Sequence, residues 1–264
     1  MKQNKYFSTG RFARLFRNDL LINQKIYLFA AIGLGLGIYA FTYFIMATNR
    51  LGFNRQDDYI PLLIFYTMGI GVLIGTSFPA FTNPIKTGNY LMAPGSNLEK
   101  FLVQFAIRIV ILIPLAMLLF WLGTRLAKAS IVSDPAIGFD ASAIPDFHFE
   151  GLFHQLKSID KLALYGTFIS VISILFCGSV FFKRFALIKT LILTALMVGA
   201  VILTFVLFSH LFYSAETHGF DIELKTYKIT ENLFNVQLAA YLLGGLSWLF
   251  FLPLAYFKLK EKEV

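Results

Sequence analysis

Phe101-Leu-Val-Gln-Phe-Ala-Ile-Arg-Ile-Val-Ile-Leu-Ile-Pro-Leu-Ala-Met-Leu-Leu-Phe-Trp-Leu-Gly-Thr124 decides the class of this protein. The run has 24 residues with Arg108 as its one charge, and as a helix it is long enough to cross a hydrocarbon core of roughly 30 Å. Five similar runs, at 26–46, 60–80, 162–182, 186–208 and 236–256, repeat the pattern. Lipid offers no partner for an open sheet edge, so each run is expected to be an α-helix. The predicted fold is therefore all-α: a polytopic membrane protein with six transmembrane helices.

Composition agrees. Of 264 residues 57% are hydrophobic and 30 are Phe, and the mean hydropathy is +0.69; soluble domains usually hold roughly 45–50% apolar residues. Six spans consume nearly half the chain, which leaves a single transmembrane domain over 1–264. The net charge of +8 does not point to nucleic acid, because the basic residues cluster at the ends of apolar runs, where orientation and anionic lipid headgroups account for them. The single Cys177 lies inside an apolar run and reads as a packing residue. The first apolar run follows 25 polar and basic residues and exceeds a signal-peptide core, so it is expected to stay as a span.

The connecting segments give the orientation. Taken alternately, one side collects 14 Lys/Arg against 4 Asp/Glu, the other 8 against 11. The positive-inside rule then places both termini in the cytoplasm. The outer loops are 125–161 and 209–235, with a shorter one near 47–59.

Ahead of the first span, Phe12, Leu15, Phe16 and Leu20 share about 140° of a helical wheel, and Arg11, Arg14 and Arg17 lie opposite. Residues 5–22 are thus expected to form an amphipathic interfacial helix on the membrane lipids, a basic tail that only sets topology being the plainer reading. Asp19 falls on the apolar arc. The segment 83–100 is longer than a turn requires: Ser96 and Glu99 have capping-box spacing, Pro94 and Gly95 break any preceding helix, and Tyr90, Leu91 and Met92 would face water unless they fold back on the bundle.

The basic amphipathic helix, the six spans, Tyr90-Leu-Met-Ala-Pro-Gly-Ser-Asn-Leu-Glu-Lys-Phe101 and the Phe181-Phe-Lys-Arg-Phe185 hairpin together resemble the permease subunits of bacterial type 2 ABC exporters. The resemblance implies that 5–22 is an elbow helix. It implies too that 83–100 is a coupling segment docking on ABC ATPase subunits through Tyr90, Leu91, Met92, Pro94, Ser96, Glu99 and Lys100, and that a second permease subunit, identical or not, completes the transporter. The 37-residue loop 125–161 departs from the family, in which this connection is short. No phosphate-binding Gly-x-x-x-x-Gly-Lys-Ser/Thr is present, so ATP and its magnesium would sit on the partner and this chain would hold no cofactor.

Within the spans, Arg108 either snorkels to headgroups or belongs to a permeation path or gate, and Pro114 marks a static kink or a hinge. Gly71-x-x-x-Gly75, Gly33, Gly35 and Gly37 permit close helix contact, within the subunit or at a dimer seam. His148, Glu150 and His154 could meet a metal only if their loop were helical; a solvated face is expected and no metal site is assigned. Signatures of an intramembrane enzyme are missing: there is no His-Glu-x-x-His or pair of intramembrane acids, and Gly75-Thr-Ser-Phe78 lacks the second Gly of a rhomboid-like serine site. The chain is therefore expected to be a non-enzymatic permease subunit exporting a lipid-like or amphipathic substrate. The alternative is a non-transporting anchor or assembly subunit of a cell-envelope complex.

Overall fold

The computed structural model describes residues 7–48, 55–82, 87–88, 90, 92–134, 144–152, 158–182, 185–212, 228–230, 233–234, 241–242 and 244–262. Along the chain run α1 (Thr9–Ala47), α2 (Ile60–Gly75), α3 (Asn97–Phe105), a π-helical segment (Ala106–Ile111), α4 (Leu112–Val132), α5 (Ser158–Phe181), α6 (Ala186–Phe212) and α7 (Trp248–Glu261). Short 3-10 turns, Gln56–Tyr59 and Pro79–Thr82, flank α2, and one helical turn covers Phe149–Leu152. Among the described residues five helical stretches are long and apolar enough to cross a membrane: Thr9–Ala47, Gln56–Gly75, Asn97–Val132, Asp160–Phe181 and Ala186–Thr204. The chain is thus helical, with the helices of a multi-pass membrane protein.

Four features differ from the sequence expectation. The interfacial helix and the first span form one 39-residue helix, α1, because no Gly or Pro between Arg11 and Ile32 stops it. The third span carries a π turn at Ala106–Ile111 just ahead of Pro114; a proline there cannot donate to the carbonyl four residues back, and a widened turn is one way a helix absorbs that loss. The expected sixth span, 236–256, is described only in part: 236–240 and 243 lie outside the described residues, 241–242 and 244–246 are helical, and α7 adds 14 residues with Pro253 inside it. Finally, the 209–235 stretch holds a two-stranded antiparallel pair, β1 (Lys228–Thr230) with β2 (Leu233–Phe234), Lys228 opposite Phe234 and Thr230 opposite Leu233.

Packing follows the small residues. The most extensive seams are α1 along α4 and α7 along α5. Gly123 lets α4 approach α1: a Cβ there would stand 2.5 Å from Ile38 Cγ2. Gly71 and Gly75 lie under Leu175 of α5 and Leu187 of α6, so this pair packs within the chain, while Gly33 and Gly37 face open space. Gly166 meets Gly245 backbone to backbone. Much of the Phe content is internal. Phe78, Phe81, Phe101, Phe105, Phe176 and Tyr90 stack at the end where α3 begins, and Tyr59, Tyr66, Phe120, Phe147 and Phe149 at the other.

That second cluster is completed by a strap, Ile144–Leu152, from the 125–161 loop. Ile144, Phe147 and Leu152 are buried in the main core. Phe147 sits 4.9 Å from Phe120 and 5.1 Å from Tyr59, centroid to centroid. Tyr59 donates its hydroxyl to Pro145 O at 2.9 Å, Gln56 donates to Asp146 O and accepts from the His148 amide, and Lys128 pairs with the Asp146 carboxylate at 2.8 Å. Glu150's side chain and His154 lie outside the described residues. Among the described residues no group of three His, Cys, Asp or Glu could hold a metal.

The glycine contacts generate a paired prediction. A Cβ on Gly166 would lie 2.8 Å from Gly245 Cα, whereas one on Gly199 meets nothing within 4 Å. Gly166→Ala should cost about 1–3 kcal/mol and Gly199→Ala should be neutral or stabilise by up to about 1 kcal/mol, as read by thermal unfolding in detergent. The strap generates a pH prediction. Lys128 holds the Asp146 carboxyl below its ordinary value of 3.8, so the pair's contribution is intact above about pH 4 and is lost as pH falls through the lowered value. Protection over 144–152, the intrinsic exchange rate divided by the observed rate at each pH, should therefore fall below about pH 4 and stay flat from pH 5 to 8.

Candidate functional site

The residues that the sequence marks for coupling converge where α1 and α3 begin. Ser96 caps α3, its hydroxyl accepting from the Glu99 amide at 3.2 Å while the Ser96 amide donates to Glu99 Oε2 at 2.9 Å. The expected capping box therefore forms. Glu99 does more than cap. Its side chain is 0% exposed, and Oε1 accepts from the Ser8 amide at 2.6 Å and from Arg11 Nε at 3.1 Å, with a second Arg11 nitrogen also at 3.1 Å. Beside it, Leu15 presses on Gly95, where a Cβ would stand 2.5 Å from Leu15 Cδ1. The start of α1 is thus clamped to the segment ahead of α3.

The rest of the expected coupling surface divides in two. Tyr90 folds back on the bundle instead of facing water: its ring meets Phe81 edge-on at 5.7 Å, its hydroxyl reaches Lys100 O at 3.5 Å, and Lys100 Nζ lies 6.0 Å over its face. Glu99 and Lys100 are buried, so neither presents a side chain to a partner. Met92 is 84% exposed and Pro94 is exposed too; Leu91 lies outside the described residues. An exposed Met beside a buried Glu99 and Lys100 is an arrangement suited to docking an apolar pocket.

Along α1, Arg14 and Arg17 are exposed, whereas Arg11, Phe12, Leu15 and Phe16 are partly covered. Phe12 and Phe16 stack at 6.1 Å.

A second polar group continues the seam. Asp19 of α1 accepts from Asn23 at 3.2 Å, from Gln104 of α3 at 3.0 Å and from the Tyr27 hydroxyl at 2.6 Å. Above Tyr27 lies Arg108, its guanidinium carbon 5.0 Å from the ring centre and one nitrogen 3.4 Å from Leu73 O of α2. Arg108 is 4% exposed. It does not snorkel; it is enclosed by α1, α2 and its own helix, on the π turn. Pro114, by contrast, is exposed. The structure brings Arg108 together with Asp19, Asn23, Tyr27 and Gln104, none of which the sequence singled out as a site. The signal was present: Arg11, Leu15, Asp19, Asn23 and Tyr27 recur every four residues on α1, as do Lys100, Gln104 and Arg108 on the third span, and two such rows pack ridge against ridge.

No family model, curated protein or solved structure matches this chain.

Because Glu99 is fully buried, removing its carboxylate takes one shared acceptor from Arg11 and from the Ser8 and Ser96 amides. Glu99→Ala should destabilise the protein by the order of 2–3 kcal/mol, seen as a fall in unfolding temperature in detergent. Arg14→Ala, at an exposed position, should change it by less than about 0.5 kcal/mol.

Proposed function

We propose that this chain is the membrane-spanning permease subunit of an ABC transporter of the type 2 exporter kind, lying in a bacterial inner membrane with both termini in the cytoplasm. In this reading α7 and the residues before it complete a sixth span. The first half of α1 serves as the elbow at the inner surface, with Arg14 and Arg17 turned toward anionic headgroups. A second permease subunit and two ATPase subunits complete the assembly. The chain carries no catalytic chemistry of its own; ATP and magnesium belong to the ATPase. An amphipathic cargo suits helices with so few intramembrane charges.

One observation carries the reading: a segment on the more basic side of the chain is anchored by a buried, four-fold hydrogen-bonded glutamate and displays an exposed Met92. A partner that pushes on Met92 pushes through Glu99 on α1 and α3 together, which is what an ATP-driven engine needs in order to rock the helices.

The test is affinity purification of the full chain from its native membrane in mild detergent, with identification of bound proteins. An ABC ATPase should accompany the wild type, and Met92→Asp should reduce its recovery roughly tenfold, the loss of about 1.4 kcal/mol of docking free energy. Envelope proteins without any ATPase would overturn the permease reading in favour of a non-transporting anchor or assembly subunit.

A further inference from the structure

Among the described residues four buried side-chain atoms lack a hydrogen-bond partner, and three of them, Asn97 Oδ1, Gln104 Oε1 and Arg108 Nε, lie on the one stretch from α3 through the π turn. In a low-dielectric interior an orphaned donor on a cation is costly, and such atoms are where a second arrangement has something to gain. Arg108's one hydrogen bond in the present arrangement is long, 3.4 Å to a backbone carbonyl of α2. A carboxylate stands nearby: Asp19 is separated from Arg108 by Tyr27, which gives its hydroxyl to Asp19 and its ring face to Arg108.

We propose that Arg108 is a two-position lever. In the position seen here it lies over Tyr27 against Leu73 O of α2; in the other it pairs directly with Asp19 of α1, and the π turn is the joint that lets it change. Pairing with Asp19 would give Nε an acceptor and offer the two-toothed geometry that guanidinium and carboxylate favour. The backbone supplies the movement. A π turn holds one residue more than an α turn, so passing it along the helix turns the residues it crosses by about 100°, enough to carry a side chain off the α2 backbone and wholly onto α1. Tyr27 is the wedge that selects the present position. The lever does not depend on the transport reading; it would serve any function that moves α1 against α2.

The test measures distance between spin labels in the full chain in phosphatidylethanolamine/phosphatidylglycerol nanodiscs, with Cys177→Ser as background. Gln24→Cys, exposed on α1, and Ile188→Cys, exposed beside the Leu187 that covers Gly75 of α2, carry the labels. Tyr27→Leu removes the wedge and should shift the principal distance by about one helical turn, roughly 5 Å. Adding Asp19→Asn, which removes the second partner, should restore the wild-type distance. Tyr27→Phe keeps the ring but releases Asp19 Oδ2, and should populate both distances; it carries the test where the leucine variant does not fold. One unchanged distance in every variant overturns the proposal, and so does a shift in Tyr27→Leu that survives Asp19→Asn.

Discussion

A carboxylate with no exposed surface, that of Glu99, receives the backbone of Ser8, the guanidinium of Arg11 and the backbone of Ser96. Taking a charge out of water costs several kcal/mol unless its lone pairs are filled, and here the donors come from two helices far apart in the chain. The third span therefore cannot begin where it does without α1 beginning beside it. That constraint sets the direction of α1 and seats Leu15 on Gly95, with Met92 exposed a few residues ahead. Three further contacts, Gln104 to Asp19, Tyr27 to Asp19 and Arg108 over Tyr27, extend the polar seam along both helices.

Beyond the π turn the cohesion changes in kind. The remainder of α1 meets α4 through Gly123 under Ile38, with a Tyr39–Ser130 hydrogen bond and a Tyr43–Asp134 bond near the end. In lipid the hydrophobic effect does not drive helices together, so close approach at small residues and polar contacts must do it. Both halves of the α1 seam combine the two: charged and polar contacts with Leu15 on Gly95 in the half that begins at Ser8, Ile38 on Gly123 with two hydrogen bonds in the half that ends at Ala47. α6 has little of either. Its contacts are concentrated at its start, where Thr190 lies against Gly178 and Leu187 against Gly75, and its apolar side chains from Leu191 to Leu203 are largely exposed, a surface fit for lipid.

The apolar runs were legible because span length is dictated by the hydrocarbon, and the Ser96/Glu99 cap because its spacing is a local rule. What was not legible depended on partners distant in sequence. Asp19 looked misplaced on an apolar arc, yet it faces Gln104 of another helix; the wheel was drawn for a helix lying on a membrane, and the same arc turns out to face protein. Tyr90 was grouped with Met92 because both are apolar residues in one loop, but Phe78 and Phe81 give Tyr90 a place to pack that no local pattern announces. Nor could composition show that 144–152 returns to the core, since Phe147 needs Phe120 and Tyr59 from two other elements to be buried. Pro114 was read as a kink or hinge; the irregularity described is a π turn at Ala106–Ile111, which carries Arg108 six residues before the proline.

These placements bear on where the molecule can bend. The α1–α3 end is held by charge-assisted hydrogen bonds, which lengthen little before they break, and the opposite end by interlocked rings of Phe147, Phe120, Phe149 and Tyr59, whose packing is equally intolerant of small displacements. Each end therefore moves as a block or not at all. Between them the third span has its π turn and Pro114, the only backbone irregularity described within α3–α4, and a widened turn adjusts its hydrogen-bond register more cheaply than a regular α turn can. In the proposed lever the two ends move relative to one another at Ala106–Ile111, and the one charged residue in that stretch, Arg108, reaches both α1 and α2 from it. A charge placed on the joint, instead of on either block, makes its partners a function of the bend.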